Sequence, residues 1–157
     1  TAERVKRHRE ARQGAGWETI EEPVDLAGAI GRAGAFRVLL VDCLTLWANN
    51  LLYEAERRGE AFTEESMADR CRELIETCRA HPGTVLIVTN EVGMGIIPEN
   101  ATARRFRDCS GRMNQLVAAA AGRVTFVVSG IPLELKGAEG VRRHPLKQDH
   151  RSLNRLA

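Results

Sequence analysis

Three short apolar runs constrain the fold of this chain more than any other feature of its sequence. They occupy residues 36–42, 84–88 and 124–129, and stretches with helical spacing of apolar residues separate them. Runs of this length, rich in Val, Ile and Leu, are typical of strands buried on both faces of a sheet. We therefore predict an α/β fold with a mainly parallel sheet, right-handed crossovers and flanking helices. A single domain is expected over residues 1–136, followed by a polar, weakly ordered tail over residues 137–157.

Helices are predicted where apolar residues recur at spacings of three and four. One helix is expected over residues 44–57, a second after Thr63 and a long third beginning near Asn100. Thr63 is the expected N-cap of the second helix because two glutamates follow it, which suits the helix dipole. A short basic helix is expected over residues 2–12.

The composition excludes several classes of protein. Hydrophobic residues make up 43% and charged residues 28% of the chain, an ordinary balance for a globular protein. No apolar run approaches the ~20 residues of a membrane-spanning helix, and no signal peptide opens the chain, so we expect a cytoplasmic protein. The four cysteines lack the spacing of zinc ligands or of a disulfide framework, which favours reduced thiols.

Charge also argues against a nucleic-acid partner. The formal net charge is only +2, which is small for a protein that binds polyanions. Aromatic residues amount to 4%, which leaves few platforms on which bases could stack. The basic residues near both ends of the chain keep one alternative open, a non-catalytic module that binds RNA or another partner.

The loop after the second predicted strand, TNEVGMGIIPEN at residues 89–100, carries polar side chains where a ligand would be expected. In parallel α/β proteins, ligands gather at the carboxyl ends of the strands. Asn90 and Glu91 are therefore expected to line a cleft, and Gly93 and Gly95 would permit close approach of a ligand to the backbone. The alternative is a strand-to-helix connection rich in turn formers, which explains the glycines but not Glu91 beside Asn90.

Asp42 closes the first apolar run, at the same predicted edge of the sheet. An acid in this position can hold Mg²⁺, directly or through water, because the ion prefers oxygen ligands and neutralises phosphate charge. The alternative is that Asp42 caps the helix that follows. The pattern alone does not separate the two.

Two further positions could act on a nucleotide. His8 lies among four arginines, Arg4, Arg7, Arg9 and Arg12. These cations would favour a neutral imidazole, and a neutral ring nitrogen can attack phosphorus. The alternative is an exposed histidine on a basic helix. Glu21 could accept the donors on the Watson–Crick edge of guanine, although nothing in its spacing requires that role.

Together these residues resemble the bifunctional adenosylcobinamide kinase and adenosylcobinamide-phosphate guanylyltransferase family of cobalamin biosynthesis. The motifs that carry the resemblance are RVKRHREAR (4–12), WETIEEP (17–23), LLVDCLTLWANNLL (39–52), VTNEVGMGIIPEN (88–100), RRFRDCSGRMNQLVAAAA (104–121) and VVSGIPLELK (127–136). The fourth motif, with the RFRD, GR and NQ that follow it, is the most specific.

The resemblance implies an activity and a fold. Members of the family phosphorylate adenosylcobinamide and then transfer GMP from GTP to the phosphate, which yields adenosylcobinamide-GDP. It implies ATP and GTP as substrates, a Mg²⁺ requirement, a homotrimer and a P-loop NTPase-like (RecA-like) fold. The family's guanylylated histidine matches His8. Its nucleotide contacts match Arg9, Glu10, Ala11, Arg12, Glu21 and Asp42, with Glu22 as the alternative to Glu21.

One departure from the family affects the activity expected of the chain. Family members begin with a strand and a GxxxxGKS loop whose amides and lysine cradle phosphates, and this sequence contains no such motif. We therefore expect that the first strand and this loop are missing upstream of Thr1 and that the chain without them is not catalytically competent. A related P-loop-type ATPase that lacks guanylyl transfer is the alternative within enzymes.

Overall fold

Residues 16–137 are described by a computed structural model. In chain order they form α1 (Leu26–Arg32), β1 (Val38–Asp42), α2 (Leu44–Arg57), α3 (Glu64–Ala80), β2 (Thr84–Val88), a 3₁₀ turn (Val92–Met94), α4 (Ala101–Ala120), β3 (Val124–Val128) and β4 (Ile131–Lys136). They fall into two compact units that divide between Ala119 and Ala120. The helix predicted over residues 2–12 and all but the first residue of the predicted tail lie outside the described residues.

The first unit is built on a parallel pair of strands. β1 and β2 pair in register from Val38 opposite Thr84 to Asp42 opposite Val88, and α2 and α3 form the connection between them. The predicted parallel pairing is confirmed for these two strands. Because the strands run in the same direction, Asp42 and the loop after Val88 emerge at the same edge of the sheet.

The helices of the first unit pack against one face of this sheet. Leu39, Val41, Val85 and Ile87 point toward them at alternate positions, as the pleat of a strand requires. The core that they join is formed mainly by the buried sides of α2, α3 and α4: Leu44, Trp47, Ala48, Leu51, Met67, Cys71, Leu74, Cys109 and Met113. This packing fixes where the carboxyl ends of both strands lie.

The other face of the parallel pair is open among the described residues. Val38 is 46% exposed, Leu40 43%, Leu86 48% and Val88 42%. The expectation that these strands are buried on both faces is therefore wrong for the part of the chain that the structure describes. The reason is that the helices of residues 16–119 cover only the opposite face.

Helix α3 begins as its sequence predicts. The Thr63 hydroxyl accepts a hydrogen bond from the Ser66 amide at 3.2 Å, and the Ser66 hydroxyl accepts one from the Thr63 amide at 3.3 Å. This reciprocal pair is a capping box, and Glu64 and Glu65 occupy the first turn. Helix α2 likewise has the predicted bounds.

The second unit contains an antiparallel hairpin of β3 and β4, with Val128 opposite Ile131. Ser129 and Gly130, which connect the strands, both have positive φ, at 51° and 75°. Two such residues in succession match a type I′ turn, whose twist suits a hairpin. The third apolar run was expected to pair in the parallel sheet. In the structure this turn reverses the chain, so that β3 pairs antiparallel with β4.

The cysteines of the first unit are thiols, as predicted, since none of them forms a disulfide within the described residues. Cys71 and Cys109 are buried in the core, and burial raises the pKa of each to about 11. Both thiols are therefore protonated near neutral pH and act as small apolar side chains.

Candidate functional site

A hydrogen-bonded group of polar side chains, which we term the polar corner, lies at the carboxyl ends of β1 and β2. It consists of Thr45, Thr89, Asn90, Glu91 and Asn114, contributed by α2, the loop after β2, and α4. The Thr45 hydroxyl accepts a hydrogen bond from the Asn90 amide at 2.9 Å and lies 3.4 Å from the Thr89 hydroxyl. The predicted cleft residues Asn90 and Glu91 are thus brought to the edge at which β1 ends.

Helix α4 holds the other side of the polar corner. The Thr89 hydroxyl donates to Asn114 Oδ1 at 2.7 Å. Asn114 Nδ2 donates to the Asn90 carbonyl oxygen at 3.1 Å and to Glu91 Oε1 at 2.7 Å. The first three residues after β2 are therefore fixed by both neighbouring helices, although they are exposed to solvent.

Arginines of α4 fix the rest of the loop. Arg107 Nη2 donates to the Gly93 carbonyl oxygen at 2.9 Å, and Arg104 Nη1 donates to the carbonyl oxygens of Pro98, at 3.0 Å, and Glu99. A Cβ atom placed on Gly93 would meet no other atom within 4 Å. Packing within the described residues therefore does not explain this glycine, and its predicted role in approach to a ligand stays a prediction.

A second feature of the first unit is a cavity of about 1030 Å³, which we term the cleft. It lies between the segment of residues 16–23 on one side and β1 with parts of α1 and α2 on the other. Two bonds from α2 hold that segment: Trp47 Nε1 donates to the Val24 carbonyl oxygen at 2.8 Å, and Asn50 Nδ2 donates to the Pro23 carbonyl oxygen at 3.1 Å. A volume of this size accommodates a ligand as large as a nucleotide.

Two predicted nucleotide-contact residues, Glu21 and Asp42, line the cleft together, although they are far apart in the sequence. Trp17 also lines the cleft and is half exposed, whereas Trp47 packs in the core. The cleft therefore combines an exposed aromatic side chain with carboxylates.

Glu22, the alternative to Glu21, has a structural role. Its Oε1 accepts hydrogen bonds from the amides of Val24, at 3.1 Å, and Asp25, at 2.9 Å, and its Oε2 lies 3.7 Å from Arg32. These amides, more than the arginine, hold the pKa of Glu22 below its usual value. The Asp25 carboxylate in turn caps α1 by accepting from the Gly28 amide at 3.0 Å, which with Arg32 lowers the pKa of Asp25.

The structure also bears on the alternative role of Asp42. The N-cap position of α2 is Cys43, and that helix has no side-chain capping bond. Asp42 therefore does not occupy the N-cap position of the following helix. The peptide bond between Asp42 and Cys43 is cis.

Within residues 16–137, no group of three or more His, Cys, Asp or Glu side chains comes together to form a complete metal site. No helix in this part of the chain is long and apolar enough to cross a membrane.

The remaining predicted site residues, His8, Arg9, Glu10, Ala11 and Arg12, lie outside the described residues. Three residues of the polar corner, Thr45, Thr89 and Asn114, were not predicted as site residues. Arg107 and Asn114 are seven residues apart on α4, about two turns, and so share a face of the helix. This seven-residue spacing of two polar side chains, next to the apolar positions of α4, is the feature of the sequence from which these contacts could have been predicted.

Comparison with known proteins connects this geometry to a family. Residues 1–135 match the family described as cobinamide kinase / cobinamide phosphate guanyltransferase. Over 135 residues the chain is 41% identical to the bifunctional adenosylcobalamin biosynthesis protein CobP of Pseudomonas aeruginosa. This match covers 85% of the present chain and 73% of the Pseudomonas protein.

Two further bifunctional adenosylcobalamin biosynthesis proteins, both named CobU, give similar matches. The Salmonella typhimurium protein is 41% identical over 143 residues, and the Escherichia coli protein is 38% identical over 142 residues. Each match covers 86% of this chain and 78% of the relative. The chain thus spans about three quarters of the length of these relatives.

Proposed function

The chain belongs to the cobinamide kinase / cobinamide phosphate guanyltransferase family, and from this premise we propose that it catalyses both reactions of that family. In the first, ATP or GTP phosphorylates adenosylcobinamide. In the second, GMP passes from GTP to adenosylcobinamide phosphate, which gives adenosylcobinamide-GDP and pyrophosphate. Both are steps of cobalamin biosynthesis.

The observation that carries the proposal is the presence of Glu21 and Asp42 in one cleft. Glu21 would accept hydrogen bonds from the Watson–Crick edge of guanine, since a carboxylate can pair with two adjacent donors. Glu22, the alternative, is held by the amides of Val24 and Asp25 and lies near Arg32. The phosphates would then lie toward Asp42, at the carboxyl end of β1.

Asp42 is the residue proposed to hold Mg²⁺. A single carboxylate fits this ion because Mg²⁺ in nucleotide sites keeps several waters and takes its other ligands from phosphate oxygens. When bound, the ion would neutralise phosphate charge during transfer. The parallel pair with an acid at the end of β1 also supports a P-loop NTPase-like fold.

His8 is proposed as the nucleophile of guanylyl transfer, with Arg9, Glu10, Ala11 and Arg12 as neighbouring nucleotide contacts. A ring nitrogen would attack the α-phosphorus of GTP, forming an N–P bond while the bond to the leaving pyrophosphate breaks. A phosphate oxygen of adenosylcobinamide phosphate would then attack the same phosphorus and free the histidine. Arginine guanidinium groups would stabilise the charge that develops on the phosphoryl oxygens.

Three properties of the whole protein are part of the proposal. A single nucleotide-binding domain over residues 1–136 is supported by a family match that runs over residues 1–135. A homotrimer and a cytoplasmic location follow from the family resemblance, and analytical ultracentrifugation of the full-length protein tests the first. A sedimentation coefficient of a monomer at micromolar concentration would contradict it.

Labelling with GTP tests the function. Full-length protein incubated with [α-³²P]GTP should become labelled through a phosphoramidate, which acid breaks and base leaves intact. The label should move to adenosylcobinamide phosphate when that acceptor is added. The variant His8→Asn should remain unlabelled and should lose guanylyl transfer.

The same assay separates the alternatives. Nucleotide hydrolysis by wild-type protein without labelling or transfer would favour an ATPase and contradict the proposal. Binding to RNA that weakens steeply with salt, without any nucleotide turnover, would favour the binding module.

A further inference from the structure

Asn114 uses its whole amide group to hold the three residues that follow β2. Its Nδ2 donates to the Asn90 carbonyl oxygen and to Glu91 Oε1, and its Oδ1 accepts from the Thr89 hydroxyl. An amide has two N–H donors, and both are used here. The opposite orientation of the amide would set its oxygen against two acceptors, so the bonding pattern selects the observed one.

The backbone that carries Glu91 is fixed from two directions. The amide of Asn90 donates to Thr45 on α2 at 2.9 Å, while its carbonyl oxygen accepts from Asn114 on α4 at 3.1 Å. Two turns earlier on the same face of α4, Arg107 holds the Gly93 carbonyl oxygen at 2.9 Å. The loop is thus anchored on both sides of Glu91.

The Glu91 carboxylate is engaged through one oxygen. Asn114 donates to Oε1 at 2.7 Å, and no hydrogen bond to Oε2 is found within residues 16–137. The residue is exposed and follows β2 at the edge at which Asp42 ends β1, since Asp42 pairs with Val88. A single donor to one oxygen fixes the carboxylate and leaves the other oxygen directed to solvent or to a ligand.

We infer that Asn114 is a positioning residue that holds Glu91 as the proton acceptor of the phosphorylation reaction, an inference that rests on the proposed function. The substrate hydroxyl oxygen bonds to the γ-phosphorus, the bond from that phosphorus to the β–γ bridging oxygen breaks, and nucleoside diphosphate leaves. The hydroxyl proton passes to Oε2 of Glu91. A carboxylate fixed at a strand end is suited to this task because proton acceptance depends on geometry first.

A proton acceptor is needed for only one of the two reactions of the protein. Phosphorylation removes a proton from an alcohol, whereas guanylyl transfer uses a phosphate oxygen that is already largely ionised at neutral pH. Glu91 and Asn114 therefore matter for the first reaction and not for the second. Guanylyl transfer by the same sample serves as an internal control for folding and for nucleotide binding.

The test measures both reactions in full-length protein carrying Glu91→Gln, Asn114→Asp or both changes. Glu91→Gln keeps an acceptor for Asn114 but removes the base, so kcat for phosphorylation should fall by on the order of 100-fold with KM little changed. Asn114→Asp keeps the acceptor for Thr89, loses the donor to Glu91, and should reduce the same kcat by on the order of tenfold. Gln115→Glu adds the same charge at the next, exposed position and should have no effect.

The double variant distinguishes positioning from a structural role. It exchanges the amide and the carboxylate, so a hydrogen bond between positions 91 and 114 can form again with reversed direction. Thermal stability should return toward that of wild type, whereas phosphorylation should not recover because position 91 carries no base. Guanylyl transfer should stay within about twofold of wild type in all variants, well below the losses of about tenfold and about 100-fold expected for phosphorylation.

Several results would overturn the inference. One is normal phosphorylation by Glu91→Gln, and another is recovery of phosphorylation together with stability in the double variant. A third is a parallel fall of both reactions in each variant. Wild-type protein that transfers GMP but does not phosphorylate would also refute it, whereas failure of both reactions in wild type would refute the proposed function itself.

Discussion

The polar corner and the cleft belong to the same unit but are constructed in different ways. In the polar corner, side chains from α2 and α4 hold the loop after β2 through five hydrogen bonds among Thr45, Thr89, Asn90, Glu91 and Asn114. At the cleft, two hydrogen bonds from α2, donated by Trp47 and Asn50, hold the backbone of Val24 and Pro23. The polar corner is a hydrogen-bonded group of side chains, whereas the cleft is a large volume.

The difference agrees with the role proposed for each region. A group that takes part in bond making must be held before the reaction, because a displacement of about 1 Å can cost on the order of 100-fold in rate. A region that binds a base and phosphates gains most of its contacts from the ligand itself. Asp42 lines the cleft and lies at the sheet edge shared with the polar corner, so it joins the two regions.

The largest effect is expected from Asp42, the residue that connects the regions. Asp42→Asn should lower kcat for guanylyl transfer by on the order of 100-fold or more, because it removes fixed charge where phosphate charge must be balanced. Steady-state assays of the full-length protein measure this rate constant.

Asp25→Ala is the control for that change. Asp25 caps α1, one of the helices that line the cleft, so loss of the cap should lower the melting temperature of this variant and leave its kcat unchanged. A comparable loss of kcat in both variants would show that acid residues near the cleft act through stability alone.

A smaller effect is expected when one hydrogen-bonding side chain is removed from each region and the loss of unfolding free energy is compared. Asn114→Ala removes three hydrogen bonds of the polar corner and should lower the free energy of unfolding by about 1–3 kcal/mol. Asn50→Ala removes one bond, to Pro23, and should cost about 1 kcal/mol or less. Urea unfolding curves measure both. Equal losses would contradict the view that the polar corner is the more tightly fixed region.

The smallest expected effect is on the pH dependence of the melting temperature, and it comes from the carboxyl groups of Glu22 and Asp25. Backbone amides hold the pKa of each carboxyl below its usual value, which is 4.5 for Glu22 and 3.8 for Asp25. A lowered pKa in the folded state stabilises the fold above the unfolded pKa, and this contribution is lost as pH falls through the folded value. Tm should therefore fall below about pH 4.5 in wild type and less steeply in Glu22→Gln. Identical slopes would show that these amide contacts do not stabilise the fold.

Much of the first unit could be predicted from the sequence, because its elements follow local patterns. The bounds of α2 and β2 and the capping of α3 by Thr63 agree with the structure. The positions of Asp42 and Glu91 at the strand ends could be predicted because parallel strands present their carboxyl ends at one edge.

The parts that could not be predicted depend on contacts distant in the sequence. Thr45 bonds to residues 44 and 45 positions away, and Asn114 bonds to residues 23 to 25 positions away, and no local pattern reports such pairs. Glu21 and Glu22 were indistinguishable in sequence because their roles depend on which carboxylate meets the amides of the next turn. The open face of β1 and β2 was missed because an apolar run shows that a strand can be buried, not which residues cover it.

The hairpin of β3 and β4 was missed for a different reason. Its signal was present, since Ser129 and Gly130 are turn residues and Ile131, Leu133 and Leu135 alternate with polar or turn-forming residues. The alternation of apolar runs and helices along the chain favours parallel pairing, and this wider pattern conflicts with the local signal for a hairpin. The structure shows that the turn chemistry decided the direction of the chain.

The central claim is that guanine is bound in the cleft by Glu21, and comparison of GTP with ITP tests it most directly. ITP lacks the 2-amino group of guanine, so wild-type protein should bind GTP more tightly than ITP by on the order of tenfold or more. Glu21→Gln should reduce that preference to near unity by weakening GTP binding, whereas Glu22→Gln should leave it unchanged. Isothermal titration of the full-length proteins gives both dissociation constants. An undiminished preference for GTP in Glu21→Gln would contradict the account.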